Sequence, residues 1–196
     1  MGIFDELKVE ITEIVEHDST KYKNSKFWME WVLGNTKNHC WNCLKNEHKI
    51  FEVIDAASSI LKNKDKPPLH LGCLCYFRWL KSVAVGFATN LRENGADYWL
   101  YHFKCLPVNY ITKETAISYG WKAHLGNLND VLPGKIIGGN IYGNRDGKLP
   151  SAPGRIWYEC DINYEFGFRG QERLIYSNDG LIFKTVDHYN SFIVIE

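Results

Sequence analysis

Downstream of residue 135 the apolar positions come in short alternating runs separated by turn residues, at 136–142, 156–164, 174–176, 181–185 and 192–195. That spacing predicts five antiparallel strands. Upstream the apolar spacing lengthens toward a helical period. Ile3, Leu7, Ile11, Ile14 and Val15 predict an amphipathic helix over 3–16, and Phe27, Trp28, Trp31, Val32 and Leu33 a second one stopped at Gly34. Ile50, Phe51, Ile54, Ala57 and Leu61 predict a third over 48–62. Between 79 and 105 the spacing is mixed and breaks at Glu93-Asn94-Gly95, which predicts a helix on either side. Thr112 is a good N-cap and Gly120 a good stop for a helix of about two turns that Lys113 opens, and a brief helix follows at 127–131. Helices first and strands afterwards describe an α+β chain. The boundary falls loosely between Arg78 and Val85, so the expected organisation is a helical Cys-rich module over 1–80 and an α+β domain over 81–196 whose helices pack on a five-stranded antiparallel sheet.

Composition narrows the classes. With 45% hydrophobic and 14% aromatic residues in 196, the chain can bury a sizeable core. Its formal net charge is zero, so no global basic field draws it to a polyanion and any such binding needs a local cluster of cations. No apolar run approaches the roughly 18 residues of a membrane span. The N-terminal stretch is too acidic and too broken for a secretory signal, so a protein that leaves its cell is expected to use a non-classical route.

Candidate chemistry gathers near the C-terminus. Strand parity sends Ile156, Tyr158, Cys160 and Ile162 toward a core and Trp157, Glu159 and Asp161 to the other face. Cys160 then reads as a small buried hydrophobe. A solitary strand glutamate is usually a solvated surface residue and a solitary histidine usually structural. The company of Arg169, Arg173 and the His188-Tyr189 pair changes the weighting. A carboxylate ionised above about pH 4.3 suits a base, and an imidazole protonated below about pH 6.5 suits an acid. Guanidinium forks match phosphate oxygens. Glu159, His188, Arg169 and Arg173 therefore supply what cleavage of RNA by its own 2′-hydroxyl requires, with no cofactor for the chemistry. Asp161 is expected to pair with Arg173 or another cation, a structural role. Lys113, in a first helical turn, opposes the macrodipole, a placement tolerated when the ammonium faces a ligand anion.

Four of the six cysteines, Cys40, Cys43, Cys73 and Cys75, fall within 36 residues. A C-x2-C and a C-x-C pair can offer four thiolates to one tetrahedral zinc, with His39 or His70 as substitutes. The C-x-C spacing is less usual than a second C-x2-C, so a disulfide pair or unmetallated thiols stay open beside a structural zinc.

Two resemblances follow from these motifs. The C-x2-C and PP-x-H-x2-C-x-C elements, across about residues 36–78, are similar to the C-terminal end of phage Mu F-like minor head proteins and to a module found ahead of toxin domains in bacterial polymorphic toxins. This implies a structural or delivery module. Residues 106–196 carry LP-NYITK, GNL-DV-PGK, NR-GKLP, GR-W-E-DINY, GFR, LI-KT and DHY, and resemble the barnase/binase family of small bacterial guanyl-preferring ribonucleases across essentially that whole domain. The resemblance implies Glu159 as general base, His188 as general acid, and Lys113, Arg169, Arg173 and Tyr189 around the scissile phosphate. It also implies that the loop Tyr142–Lys148, with Asn144, Arg145 and Asp146, receives guanine mainly on backbone amides, the Asp146 side chain accepting from the base edge. Asp146 stands where the family has a glutamate, one methylene longer, which implies a weaker guanine preference. Asn140 stands where the family has an aspartate near Glu159, which removes a negative charge and is expected to lower the Glu159 pKa, and Gly180 stands where it has a tryptophan. Joined to the Cys-rich module, the nuclease reads as the toxic part of a polymorphic toxin, secreted or delivered into a target cytoplasm. Its expected partners are RNA and an acidic immunity protein, and the expected state is a monomer. The competing readings are a non-enzymatic RNA- or partner-binding module with a zinc clip, and a scavenging extracellular ribonuclease.

Overall fold

The computed structural model describes residues 27–53 and 72–196. The helix predicted over 3–16, most of that over 48–62, and His70 lie outside the described residues. Two compact units divide the chain: Met1–Trp79 with Gly147–Pro150, and Leu80–Asp146 with Ser151–Glu196.

In the first unit, the segment expected as a helix at 27–33 is a strand. β1 (Phe27–Val32) is the centre of a three-stranded antiparallel sheet, flanked by β2 (Ile50–Val53) and β3 (Tyr76–Trp79). Trp28 and Trp31 stand three apart, as a helix would have them. Yet Trp28, Met29, Glu30 and Trp31 are all buried, the pattern of a central strand covered on both faces, and the aromatic content favours a strand. Trp31 packs edge-on against Phe77, ring centres 5.7 Å apart, and Phe51 lies 5.3 Å from Phe77. On the opposite side the Glu30 carboxylate takes Arg78 Nη2 at 2.7 Å and His48 Nδ1 at 2.6 Å. Residues 50–53, predicted helical, are β2. The helix described in this unit, α1 (Trp41–Asn46), starts at Cys40. Among the described residues the Cys-rich module is therefore a small sheet with one short helix, and the all-helical expectation is corrected.

The second unit is α+β. Its helices are α2 (Ala96–Phe103), α3 (Lys113–Ser118) and α4 (Leu128–Val131). Its strands are β4 (Ser82–Val83), β5 (Tyr110–Ile111), β6 (Ile136–Tyr142), β7 (Trp157–Asp161), β8 (Arg173–Ser177), β9 (Ile182–Thr185) and β10 (Ile193–Ile195). They form one sheet in the order β4-β10-β9-β8-β7-β6-β5. The strands β6 to β10 pair antiparallel in sequence and coincide with the five expected runs, while β5 and β4 add short parallel edges beside β6 and β10. Of the two helices expected around Gly95, the second is α2, and ahead of it Arg92–Asn94 is only a 3₁₀ turn. Asp97 explains the missing helix. Fully buried, it accepts from Gly86 N at 2.7 Å, Ala88 N at 3.1 Å and Thr89 Oγ1 at 3.1 Å. Backbone donors committed to that carboxylate cannot join a helical ladder.

One sheet face supplies Cys160, Ile162, Leu174, Ile182 and Ile195 to a core closed by Ala88, Ala96 and Leu100. Parity along β7 thus holds for Cys160 and Ile162. The other face is not solvent, because Trp157, Glu159 and Asp161 are buried as well. Close packing at the β6–β7 pair requires Gly138: a Cβ there would sit 2.5 Å from Cys160 Cβ and 2.6 Å from Tyr110 Cδ1. The next residue, Gly139, has φ +87° and makes the bulge that brings Asn140 opposite Glu159. Among the described residues no helix is long and apolar enough to cross a membrane.

Candidate active site

Glu159, on β7, is 7% exposed and is the centre of the polar face. α3 delivers one partner. Thr112 caps that helix by accepting from Thr115 N at 3.2 Å. Lys113 thereby stands in the first turn, where its ammonium forms an ion pair with Glu159 Oε1. Asn140 secures the same helix end, accepting from Lys113 N at 2.9 Å and donating to Glu114 Oε2 at 2.8 Å. Tyr189 supplies the second partner, its hydroxyl donating to Glu159 Oε2 at 2.5 Å. Burial alone would raise the Glu159 pKa. The bonds from Lys113 and Tyr189, with the charges of Lys113 and Arg169, outweigh it and hold the carboxyl below its ordinary range.

Two residues along β7, Asp161 gathers the arginines. Arg169 grips it with two parallel bonds of 2.6 Å, from Nε to Oδ2 and from Nη2 to Oδ1. Arg173, its cross-strand neighbour on β8, places Nε 2.8 Å from Oδ1. That Nε–H misses the hydrogen-bond line, so the contact is an ion pair by proximity. Arg173 Nη1 donates to the carbonyls of Gly170 at 2.8 Å and Glu172 at 2.7 Å. Arg169 also lies over the Trp121 ring, 6.0 Å from its centre.

His188 and Tyr189 are consecutive non-glycine residues at φ +54° and +69°. Such backbone persists only where its surroundings dictate it, and here Asp187 does so. Its Oδ1 accepts from Thr185 Oγ1 at 2.9 Å, Asn190 N at 3.1 Å and Ser191 N at 2.9 Å, and its Oδ2 accepts from Ser191 Oγ at 2.6 Å. Thr185 Oγ1 in turn accepts from Tyr189 N at 2.9 Å. The His188 and Tyr189 ring centres are 4.7 Å apart, and Tyr189 stacks on Tyr142 at 5.1 Å. Tyr142, Asn144, Arg145 and Asp146 line, with His188, Tyr189 and Asn190, a cavity of about 460 Å³. Burial, then the charges of Asp146 and Glu159, push the Tyr142 phenol up to about 12.

The second unit therefore brings Lys113, Glu159, Arg169, Arg173 and Tyr189 onto one side of the sheet and carries His188 to the neighbouring cavity with the 142–146 loop. Sequence reasoning missed Asp187 and Trp121. The run T-x-D-x-x-N-S around Asp187 is a signal of side-chain-capped turns that could have found the first. Trp121 carries no such mark. The first unit holds the thiols. Cys40 and Cys43 Sγ are 3.3 Å apart, and Cys43 and Cys73 Sγ 3.5 Å. Burial, then its bonds to Cys40, Cys73 and Cys75, push the Cys43 thiol well up.

An α+β domain presenting a carboxylate, guanidinium groups and an imidazole beside a cavity on one sheet face fits the class of small nucleases. Residues 94–196 match the model of the ribonuclease family. Over 103 residues the chain is 56% identical to a ribonuclease of Heyndrickxia coagulans, covering 53% of this chain and 94% of that protein. The identity is the same to the ribonucleases of Bacillus intermedius and Bacillus pumilus, where the match covers 63% of each, under two thirds of their length. The chain belongs to the ribonuclease family, and its C-terminal domain is a barnase-like endoribonuclease.

Proposed function

We propose that the domain cleaves single-stranded RNA after guanosine by transesterification to a 2′,3′-cyclic phosphate, with Glu159 as base and His188 as acid. The observation that carries this reading is the Glu159 carboxylate, buried and held between the Lys113 ammonium and the Tyr189 hydroxyl. When a phosphodiester enters, its oxygens take over Lys113 and Tyr189, with Arg169 and Arg173 adding charge behind them. Glu159 then loses two donors, its proton affinity rises, and it takes the 2′-hydroxyl proton. His188 protonates the leaving 5′-oxygen, and roles reverse as water opens the ring. Tyr142, Asn144, Arg145 and Asp146 receive the guanine, the Asp146 carboxylate accepting from its base edge. Incubation with guanosine- and adenosine-containing dinucleotides, without added metal, tests this. Cyclic phosphate is expected first from the guanosine substrate, and none from a 2′-deoxy analogue, which has no nucleophile. Equal cleavage of the deoxy analogue overturns the mechanism.

The depressed Glu159 pKa fixes the acid limb. A carboxyl held below its ordinary range stays ionised there, so kcat/KM, which reports the unliganded enzyme, is expected to fall only below the ordinary carboxylate range of about pH 4.3. The same bonds stabilise the fold above that range and are lost as pH drops through the depressed value. Lys113→Met removes the strongest of the opposing contacts and leaves burial, so its acid limb is expected to move up in a pH profile of kcat/KM. An unmoved limb separates Lys113 from the base.

The resemblance of the Cys-rich segment to modules ahead of toxin domains supports a further assignment. The chain acts as the monomeric toxic domain of a polymorphic toxin, delivered by a non-classical route into a target cytoplasm. An acidic immunity protein covers the cations around Glu159, because charge complementarity speeds capture.

A further inference from the structure

We propose that Cys40, Cys43, Cys73 and Cys75 form a tetrathiolate zinc site that fastens the three-stranded module. Zinc with Zn–S bonds of about 2.3 Å sets its sulfurs roughly 3.8 Å apart at the corners of a tetrahedron. The Cys40–Cys43 and Cys43–Cys73 Sγ pairs stand at 3.3 and 3.5 Å, and the Cys43, Cys73 and Cys75 sulfurs all lie within 4.8 Å of one another. A disulfide needs about 2.05 Å, and none of the six cysteines is in one. The Cys43, Cys73 and Cys75 sulfurs are spaced around a common centre, Cys40 stands beside Cys43 as the fourth, and no pair is as close as a bonded one.

The local chain explains how two unlike spacings reach one point. Cys40 precedes α1 and Cys43 sits one turn on, so C-x2-C turns both sulfurs to the same side, and Cys40 Sγ accepts from Cys43 N at 3.4 Å. Cys73 and Cys75 come from the run that enters β3. His39 Nδ1 lies 3.9 Å from Cys75 Sγ. That nitrogen is the outer partner that donates to a bound thiolate and orients it, a role that imidazoles and amides commonly fill around metals. Four soft thiolates in a tetrahedral set select zinc over magnesium or calcium.

The link would also join the module's core. One cluster of that core is Trp31 with Cys43 and Cys75, bordered by Leu33, Cys40, Phe51, Cys73 and Phe77. Every proposed ligand is thus part of that core or of its border. Metal binding becomes folding free energy where the ligands meet only in the folded state, as four thiolates drawn from the start of α1 and the entry to β3 would.

The test is metal analysis of the full chain, purified under reducing conditions with zinc supplied, followed by titration with cobalt(II). One zinc per chain is expected, exchangeable for cobalt with the thiolate-to-metal charge-transfer spectrum of a four-sulfur tetrahedral site. Cys43→Ser and Cys73→Ser are each expected to lower zinc retention against a chelator about tenfold or more. Cys105→Ser, at an exposed cysteine, leaves retention unchanged. Should the serine variants fail to fold, the cobalt spectrum of the wild-type chain still decides. A chain that stays metal-free, one that holds iron in place of zinc, one whose cluster titrates as disulfides, or serine variants that keep zinc as well as wild type would each overturn the proposal. Dinucleotide cleavage does not enter these readouts, so this site and the ribonuclease mechanism stand or fall separately.

Discussion

Replacing Glu159 by alanine is expected to lower kcat/KM for RNA by roughly 10²- to 10⁴-fold, and replacing His188 by alanine to do the same, the usual worth of a positioned base or acid. The loss belongs in kcat, because neither group is the main holder of the ground-state phosphate. Lys113 and Arg169 remain to bind it, with the charge of buried Arg173 behind them, and without the Glu159 carboxylate Lys113 loses the ion pair that competes with the phosphate. KM for the Glu159 variant is therefore expected to stay level or fall. Folding should survive both changes. The Lys113 side chain is 35% exposed and can turn to water when its partner is gone, and His188 lies on the exposed rim of the cavity. The double variant is expected to cost little more than the worse single one, since acid and base serve one step. In cells without an inhibitor, expression of wild type is expected to be harmful and expression of Glu159→Ala harmless. Losses below about threefold in both single variants, with the fold intact by circular dichroism, would reject these two roles.

How far the chain could be read in advance differs between the two units, for a physical reason. In the C-terminal unit the strands are short and cut by turn residues, so alternation survives along them. Thr112 and Gly120 bracket α3 as their capping chemistry requires, and Gly120 takes φ +93° at its end. In the first unit a central strand covered on both faces erases alternation, and FWMEWV then resembles a helix face. The Glu30 carboxylate was the clue, since its partners Arg78 and His48 come from β3 and the approach to β2. At the site, residue types were legible and pairings were not. Lys113 and Glu159 are 46 positions apart, and no local pattern announces that Tyr189 bonds Glu159. Asp161 was expected to hold Arg173 or another cation. It holds two, because the loop after β7 folds Arg169 back over it while the β7–β8 register sets Arg173 beside it. The lowered pKa of Glu159 arises from Lys113, Tyr189 and Arg169, whereas Asn140 acts at the start of α3.

Asp161→Asn is expected to be the most destabilising polar substitution in the domain. The side chain keeps its shape but loses the charge that balances two guanidinium groups. Arg169, with 20% of its side chain exposed, can swing toward water. Arg173 cannot, because its side chain is 4% exposed and Nη1 is committed to the Gly170 and Glu172 carbonyls. Removing one partner of such a buried pair leaves an uncompensated charge and costs about 3–5 kcal/mol, a fall of roughly 10–20 °C in Tm for a domain of this size. Activity measured well below that Tm is also expected to drop, since the amide keeps one acceptor and Arg169 loses one of the two bonds that aim it along the sheet. Arg169→Ala separates the two effects: it should cost less stability, with Arg173 still paired to Asp161, yet lower phosphate affinity and so raise KM. The decisive comparison is a double-mutant cycle with Arg173→Met. If the charge left behind is what destabilises Asp161→Asn, then Asp161→Asn with Arg173→Met will melt higher than Asp161→Asn alone, because the pair is removed together. A double variant that melts lower than both singles would place the cost in packing and not in charge.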